Sequence, residues 1–150
     1  MGLHPLAFAL DRLWPANAKP EDLLAMRRPG GFNHCLVCAQ GLTAAVPDAD
    51  GPVFDAPPAR LLDAARRAAA GRLNAVEAAC DDRLHQIVFV QRTPFLRFPD
   101  VVRVQAIPAQ GGKTALAVFC RALYGFYDFG VNRRRAKSWA RAIAKEMEKR

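Results

Sequence analysis

The chain has 150 residues, 51% of them hydrophobic and 24% charged, which suits one globular domain with a sizeable core and excludes a disordered polymer. No stretch approaches the roughly 20 apolar residues that a membrane-crossing helix needs, and the start lacks a basic region and cleavage site of signal-peptide type. The net charge of +8 is uneven: residues 133–150 hold eight Arg/Lys against two Glu, so +6 lies there and +2 in all the rest.

Leu3, Leu6, Ala7, Leu10, Leu13 and Trp14 recur at helical spacing until Pro15 stops them. A second short helix is predicted from Pro20 through Arg27, ended by Pro29-Gly30-Gly31. Pro29 to Gly51 reads as irregular apart from an apolar piece at Cys35–Ala39. A longer helix follows, with Asp55 as its cap, Pro57 and Pro58 in its first turn, and a stripe of Leu61, Leu62, Ala65, Ala68 and Ala69. Strands are then predicted at Ala75–Cys80, Leu84–Arg92 and Val101–Ile107, where Val102, Val104 and Ala106 oppose Arg103 and Gln105, and at Thr114–Leu123, where Leu116, Val118 and Cys120 share a face. Phe95–Phe98 reads as a short extended piece. A last helix starts near Arg133, with Asn132 as N-cap and Ala136, Trp139, Ala140, Ile143 and Met147 as its buried stripe.

The expected fold is a single α+β domain: an antiparallel sheet of about four strands with two main helices on one face, in the order helix–strands–helix. Residues 1–30 form a helical arm and 31–150 the core.

The segment Gly125-Phe-Tyr127-Asp128-Phe-Gly130-Val-Asn132-Arg133-Arg-Arg135 is the most distinctive, and its G-x-x-D-x-G-x-N-R-x-R pattern resembles the signature of the domain of unknown function 1499 family. The similarity extends to Thr93 through Asp100, to Phe54-Asp55-Ala56-Pro57 and to Gly31-Phe-Asn33-His-Cys-Leu36, covering roughly residues 20–145. Cys120, Ala122 and Leu123 stand where the family carries S-x-S-R. The resemblance implies no reaction; relatives are often envelope-associated or plastid proteins.

Gly125 and Gly130 permit the positive φ of a tight strand-to-helix turn, and Asp128 is within reach of Arg133 or Arg135. One reading is a hydrogen-bonded lock that fixes the last helix. The other is an anion site where Tyr127, Asn132, Arg133 and Arg135 surround free N–H groups at a helix start. Beyond it, Arg134, Lys137, Arg141 and Lys145 fall on one basic helix face.

Other motifs fail on context. Gly112-Lys113-Thr114 has Ile107 where a P-loop needs its first glycine, so it is a hairpin turn, and Asp128-Phe129-Gly130 lacks every other kinase element. Cys35 and Cys38 form one Cys-x-x-Cys without a second ligand pair, a weak metal or redox candidate, and Ala39 after Cys38 excludes haem attachment. The four cysteines, at uneven spacing, suggest no disulfide framework, and cytoplasmic residence with reduced thiols is expected.

These features predict a non-catalytic module without a cofactor that docks on an acidic surface or binds a small acidic ligand. Two alternatives are an enzyme using Cys35/Cys38 or His85 in a cleft over the sheet, and nucleic-acid association without sequence specificity.

Overall fold

The computed structural model describes residues 5–72, 74–125 and 127–149. Four strands, β3 (Ala75–Asp81), β4 (Gln86–Arg92), β5 (Pro99–Pro108) and β6 (Thr114–Ala122), pair antiparallel in chain order, with Val90 opposite Val101 and Val104 opposite Val118. This is the meander that the sequence predicts. Two shorter strands extend it on the β6 edge: β1 (His34–Val37), with Cys35 opposite Cys120, and β2 (Val53–Phe54), with Val53 opposite Ala115. The sheet therefore has six strands rather than about four, in the order β1-β6-β5-β4-β3 with β2 also on β6.

Period-two alternation sends Val102, Val104 and Ala106 of β5 and Leu116, Val118 and Cys120 of β6 to one face. There they meet α2 (Pro58–Ala70) and α3 (Val131–Glu148), whose buried residues include all five predicted positions of each stripe. Trp139 is the centre of this layer: its ring lies 4.9 Å from that of Phe89, and its Nε1–H donates to Gln91 Oε1 at 2.9 Å. Helix α2 starts at Pro58 with Pro57 as N-cap and no side-chain cap, so Asp55 does not cap it. Pro58 leaves one fewer free N–H at the helix start, and the Arg60 N–H donates to the Pro57 carbonyl at 3.1 Å instead of to a side chain.

The opposite face is covered by residues 16–30, which are not helical beyond a turn at 23–25. The predicted Pro20–Arg27 helix is corrected accordingly. Leu23 and Met26 bury against Leu36, Ile107, Ala117 and Phe119. The buried side chains of Gln86 and Gln105 accept from the backbone N–H of Glu21 (2.9 Å) and Leu23 (2.8 Å). These sheet glutamines hold the segment extended by taking its N–H groups directly, and a helix of two turns is too short to compete on its own.

Helix α1 (Pro5–Leu13) has no buried residue. Leu3 of its predicted stripe lies outside the described residues. The helix is held by polar and aromatic ties instead: Asp11 accepts two hydrogen bonds from Arg97 at 2.8 and 2.9 Å, and Trp14 packs on Phe98 and Tyr124. The β4–β5 connection is a turn at residues 94–96, not the extended piece predicted for Phe95–Phe98. Thr93 N–H donates to Phe98 O across it, and Arg97 takes a left-handed φ of 59°.

Candidate functional site

Between β6 and α3 the chain reverses through Gly125 (φ 87°) and Gly130 (φ 77°), both in the region where a side chain is strained. Asn33, just before β1, donates from Nδ2 to the Gly125 carbonyl at 2.6 Å, and Phe32 bridges to Tyr127. Phe126 lies outside the described residues. Gly130 is the N-cap, so Asn132 sits inside the first turn of α3 and is not the cap. Asp128 performs that role from two residues upstream. Its Oδ1 accepts from Gly130 N–H at 2.9 Å, while Oδ2 accepts from Asn132 N–H at 2.9 Å and from Asn132 Nδ2 at 2.8 Å.

The predicted pairing of Asp128 with Arg133 or Arg135 is thus replaced by contacts to backbone N–H groups. Free N–H groups at a helix start lie nearer than either guanidinium, and the dipole favours a carboxylate there. The same carboxylate offsets the three arginines of the first turn. Arg135 instead turns inward, where Nη1 donates to Asp100 Oδ2 and to Asn132 Oδ1. Burial and the nearby Arg72 charge lower Arg135 to about 10, which leaves it a cation at neutral pH, neutralised by Asp100. Asp128, Asn132, Arg135 and Asp100 form one continuous chain of hydrogen bonds.

Arg133 points elsewhere. It is exposed, makes no hydrogen bond or ion pair among the described residues, and lines a cleft of about 280 Å³ with Tyr127, Arg28, His34, Cys35 and Asp48. Asp48 binds Arg28 at 2.7 Å and the Leu36 N–H at 2.8 Å. Burial pushes its carboxyl up, but these two hydrogen bonds and the Arg28 charge hold it below the usual 3.8. Because arginine only donates, His34 Nδ1 accepts from Arg28 at 3.3 Å, and Nε2 then donates to Pro29 O at 3.1 Å. Both ring nitrogens of His34 are occupied by the protein itself.

The outer face of α3 carries Arg134, Lys137, Arg141 and Lys145, opposite the stripe of Ala136, Trp139, Ile143 and Met147. Arg134 donates to Phe129 O at 3.3 Å; none of the four has a carboxylate partner among the described residues. The two cysteines of the Cys-x-x-Cys lie on opposite faces of the sheet: Cys35 under α3, Cys38 beneath the N-terminal segment. They cannot grip one ion together, and burial pushes each thiol up to about 11. Cys120, at the start of the family's S-x-S-R place, is wholly buried opposite Cys35. His85 occupies the β3–β4 turn with φ 50°, its carbonyl accepting from Ala106.

The model of a family described as Protein of unknown function (DUF1499) matches residues 35–143, which is most of the chain. The protein belongs to that family. No curated protein matches it. In this DUF1499 protein the segments that carry the family resemblance meet physically, since Asn33, Asp100, Asp128, Asn132 and Arg135 come from three of them and converge on one loop. Asn33 and Asp100 were legible only as parts of those segments. Arg28 and Asp48, separated by 20 residues in a stretch that reads as irregular, gave no signal.

Proposed function

We propose that this DUF1499 protein is a non-catalytic binding module that docks on an acidic surface through the outward face of α3. The supporting observation is a contrast in how its cations are treated. Several arginines elsewhere are matched by carboxylates, Arg28 with Asp48, Arg66 with Glu77, Arg67 with Glu146, Arg92 and Arg97 with Asp11 and Arg103 with Glu21, and on the inner side of α3 Arg135 is matched by Asp100. Along α3, Arg133, Arg134, Lys137, Arg141 and Lys145 have no such partner among the described residues. Aligned charges of one sign raise the local concentration of an oppositely charged partner and speed its encounter, with an effect that falls as salt rises.

The cleft at Arg133 favours the surface form of this reading over a small acidic ligand. Asp48 already neutralises Arg28 there and Asp128 stands on its wall, so Arg133 alone would face a bound anion. Retention on immobilised heparin in a sodium chloride gradient tests the proposal. Lys137→Glu/Arg141→Glu should elute at clearly lower salt than the parent chain, with an unchanged thermal melt. Equal elution of the two would refute docking through this face.

A further inference from the structure

The sheet topology gathers several separate segments at one end of the molecule. Arg92 is opposite Pro99, Asp100 opposite Ala122, and His34 opposite Arg121. The β4–β5 turn, the end of β6, the start of β1 and the loop into α3 are therefore neighbours. Helix α1 is strapped to the same end by Asp11 and Trp14. Among the described residues, all six exposed aromatic rings lie in these segments: Phe8, Phe32, Phe95, Tyr124, Tyr127 and Phe129. Phe95 and Phe129 are 89% and 80% exposed, far beyond ordinary surface scatter for phenylalanine, and Leu13 and Leu96 stand out beside them.

The exposed charge among these rings is positive. Arg12, Arg121, Arg133 and Arg134 are exposed around these rings. The carboxylates of the same segments are already engaged, Asp11 by Arg97, Asp100 by Arg135, and Asp128 by the Gly130 and Asn132 N–H groups. The acidic turn Asp81-Asp82 and the Glu146 and Glu148 side chains lie toward the opposite end, beyond the last pairs of β3 and at the close of α3.

We infer that this aromatic end inserts into a bilayer rich in anionic phospholipid, with α3's cations held at the headgroups. The inference rests on the acidic-surface reading above and names the surface. Apolar tips from unconnected segments, ringed by arginines without carboxylate partners, match the interface of a membrane, which takes rings and aliphatic chains without requiring a shaped partner. A second copy of the chain is disfavoured because the same arginines would meet one another with no free carboxylate between them. Nucleic acid would use ring faces for stacking but has no use for Leu13 or Leu96.

Sedimentation with vesicles of phosphatidylglycerol and phosphatidylcholine, against phosphatidylcholine alone, tests the inference. The chain should bind the anionic vesicles. Phe95→Ser/Leu96→Ser and, separately, Phe129→Ser should each weaken that binding by about tenfold or more, while heparin elution stays at the parent's salt. Both sites are exposed, and an unchanged circular-dichroism melt would establish that the variants fold. Full vesicle binding by both aromatic variants, with loss in Lys137→Glu/Arg141→Glu, would overturn insertion and leave electrostatic docking standing. Binding to heparin or DNA without binding to anionic vesicles would overturn the bilayer alone, and no binding to any of them would overturn both readings. Concentration-dependent dimers of the parent chain that the aromatic substitutions dissolve would also overturn it, in favour of self-association.

Discussion

Removing the Asp100 carboxylate tests whether Arg135 belongs to the scaffold. The Arg135 and Asp100 side chains are only 10% and 5% exposed, so neither charge is much screened by water. In Asp100→Ala the guanidinium keeps one partner, Asn132 Oδ1 at 3.3 Å, and stays a cation because arginine does not give up its proton near neutral pH. Stripping one partner from a buried pair leaves an uncompensated charge and costs about 3–5 kcal/mol, a large share of the roughly 5–15 kcal/mol that holds a domain together. With a urea slope of about 2 kcal/mol/M, the unfolding midpoint should fall by roughly 1.5–2.5 M. Asp100→Asn, which retains a neutral acceptor, should lie between parent and Ala. The double change Asp100→Leu/Arg135→Met should be less damaging than the sum of its singles, because no charge is then stranded. Urea titrations followed by tryptophan fluorescence read the parent, these variants and the two singles, Asp100→Leu and Arg135→Met. Single costs below about 1 kcal/mol that add in the double would refute a buried pair and return Arg135 to the ligand-binding candidates.

Asp128→Ala removes three hydrogen bonds at the start of α3 and the one carboxylate facing its dipole, so the urea midpoint should drop by an amount equal to about 1–2 kcal/mol; an unchanged midpoint would show that the loop holds itself by other means. At about pH 8, Ellman's reagent should find a single fast thiol, the exposed Cys80, because burial raises Cys35, Cys38 and Cys120, and all four should react in urea. Rapid reaction of two or more thiols in the folded chain would contradict the burial described. The Arg97 hydrogen bond, helped by the Arg92 and Arg97 charges, outweighs burial and holds Asp11 below 3.8. Its tie to α1 is therefore fully present above 3.8 and is lost as pH falls through the lower folded value. Trp14, which follows α1, should change its emission over that acid range in the parent and show less change in Asp11→Asn; identical profiles would remove Asp11 as the strap.

Much of the architecture was legible because alternation and helical spacing record which face is buried. The stripes of α2 and α3 and the inward sets of β5 and β6 are simple periodic patterns. The N-terminal covering was not legible, since Leu23 and Met26 have no period to follow and their partners Gln86 and Gln105 are of a residue type that is mostly exposed. What hid them is distance along the chain: Leu23 and Gln105 meet across 82 residues.

The signature loop illustrates a different limit. Its composition of two glycines, an aspartate, an asparagine and arginines is equally suited to binding an anion and to fastening a helix, because both tasks use the same free N–H groups and guanidinium donors. Sequence spacing places all these groups within reach of each other without assigning partners. The structure assigns them: Asp128 occupies the helix start, Asn132 links it to Arg135, and Arg135 is consumed by Asp100, 35 residues upstream on the neighbouring strand. Once those bonds are made, Arg133 and the outer row of α3 still have no carboxylate partner among the described residues. The fastened loop in turn holds Tyr127 and Phe129 outward, 4.9 Å apart, beside that row. The proposed docking surface therefore lies on the outer side of the segment whose inner side is the lock. Loosening the lock through Asp128 or Asp100 should weaken vesicle binding as well as stability, even though both carboxylates are taken up by bonds within the protein.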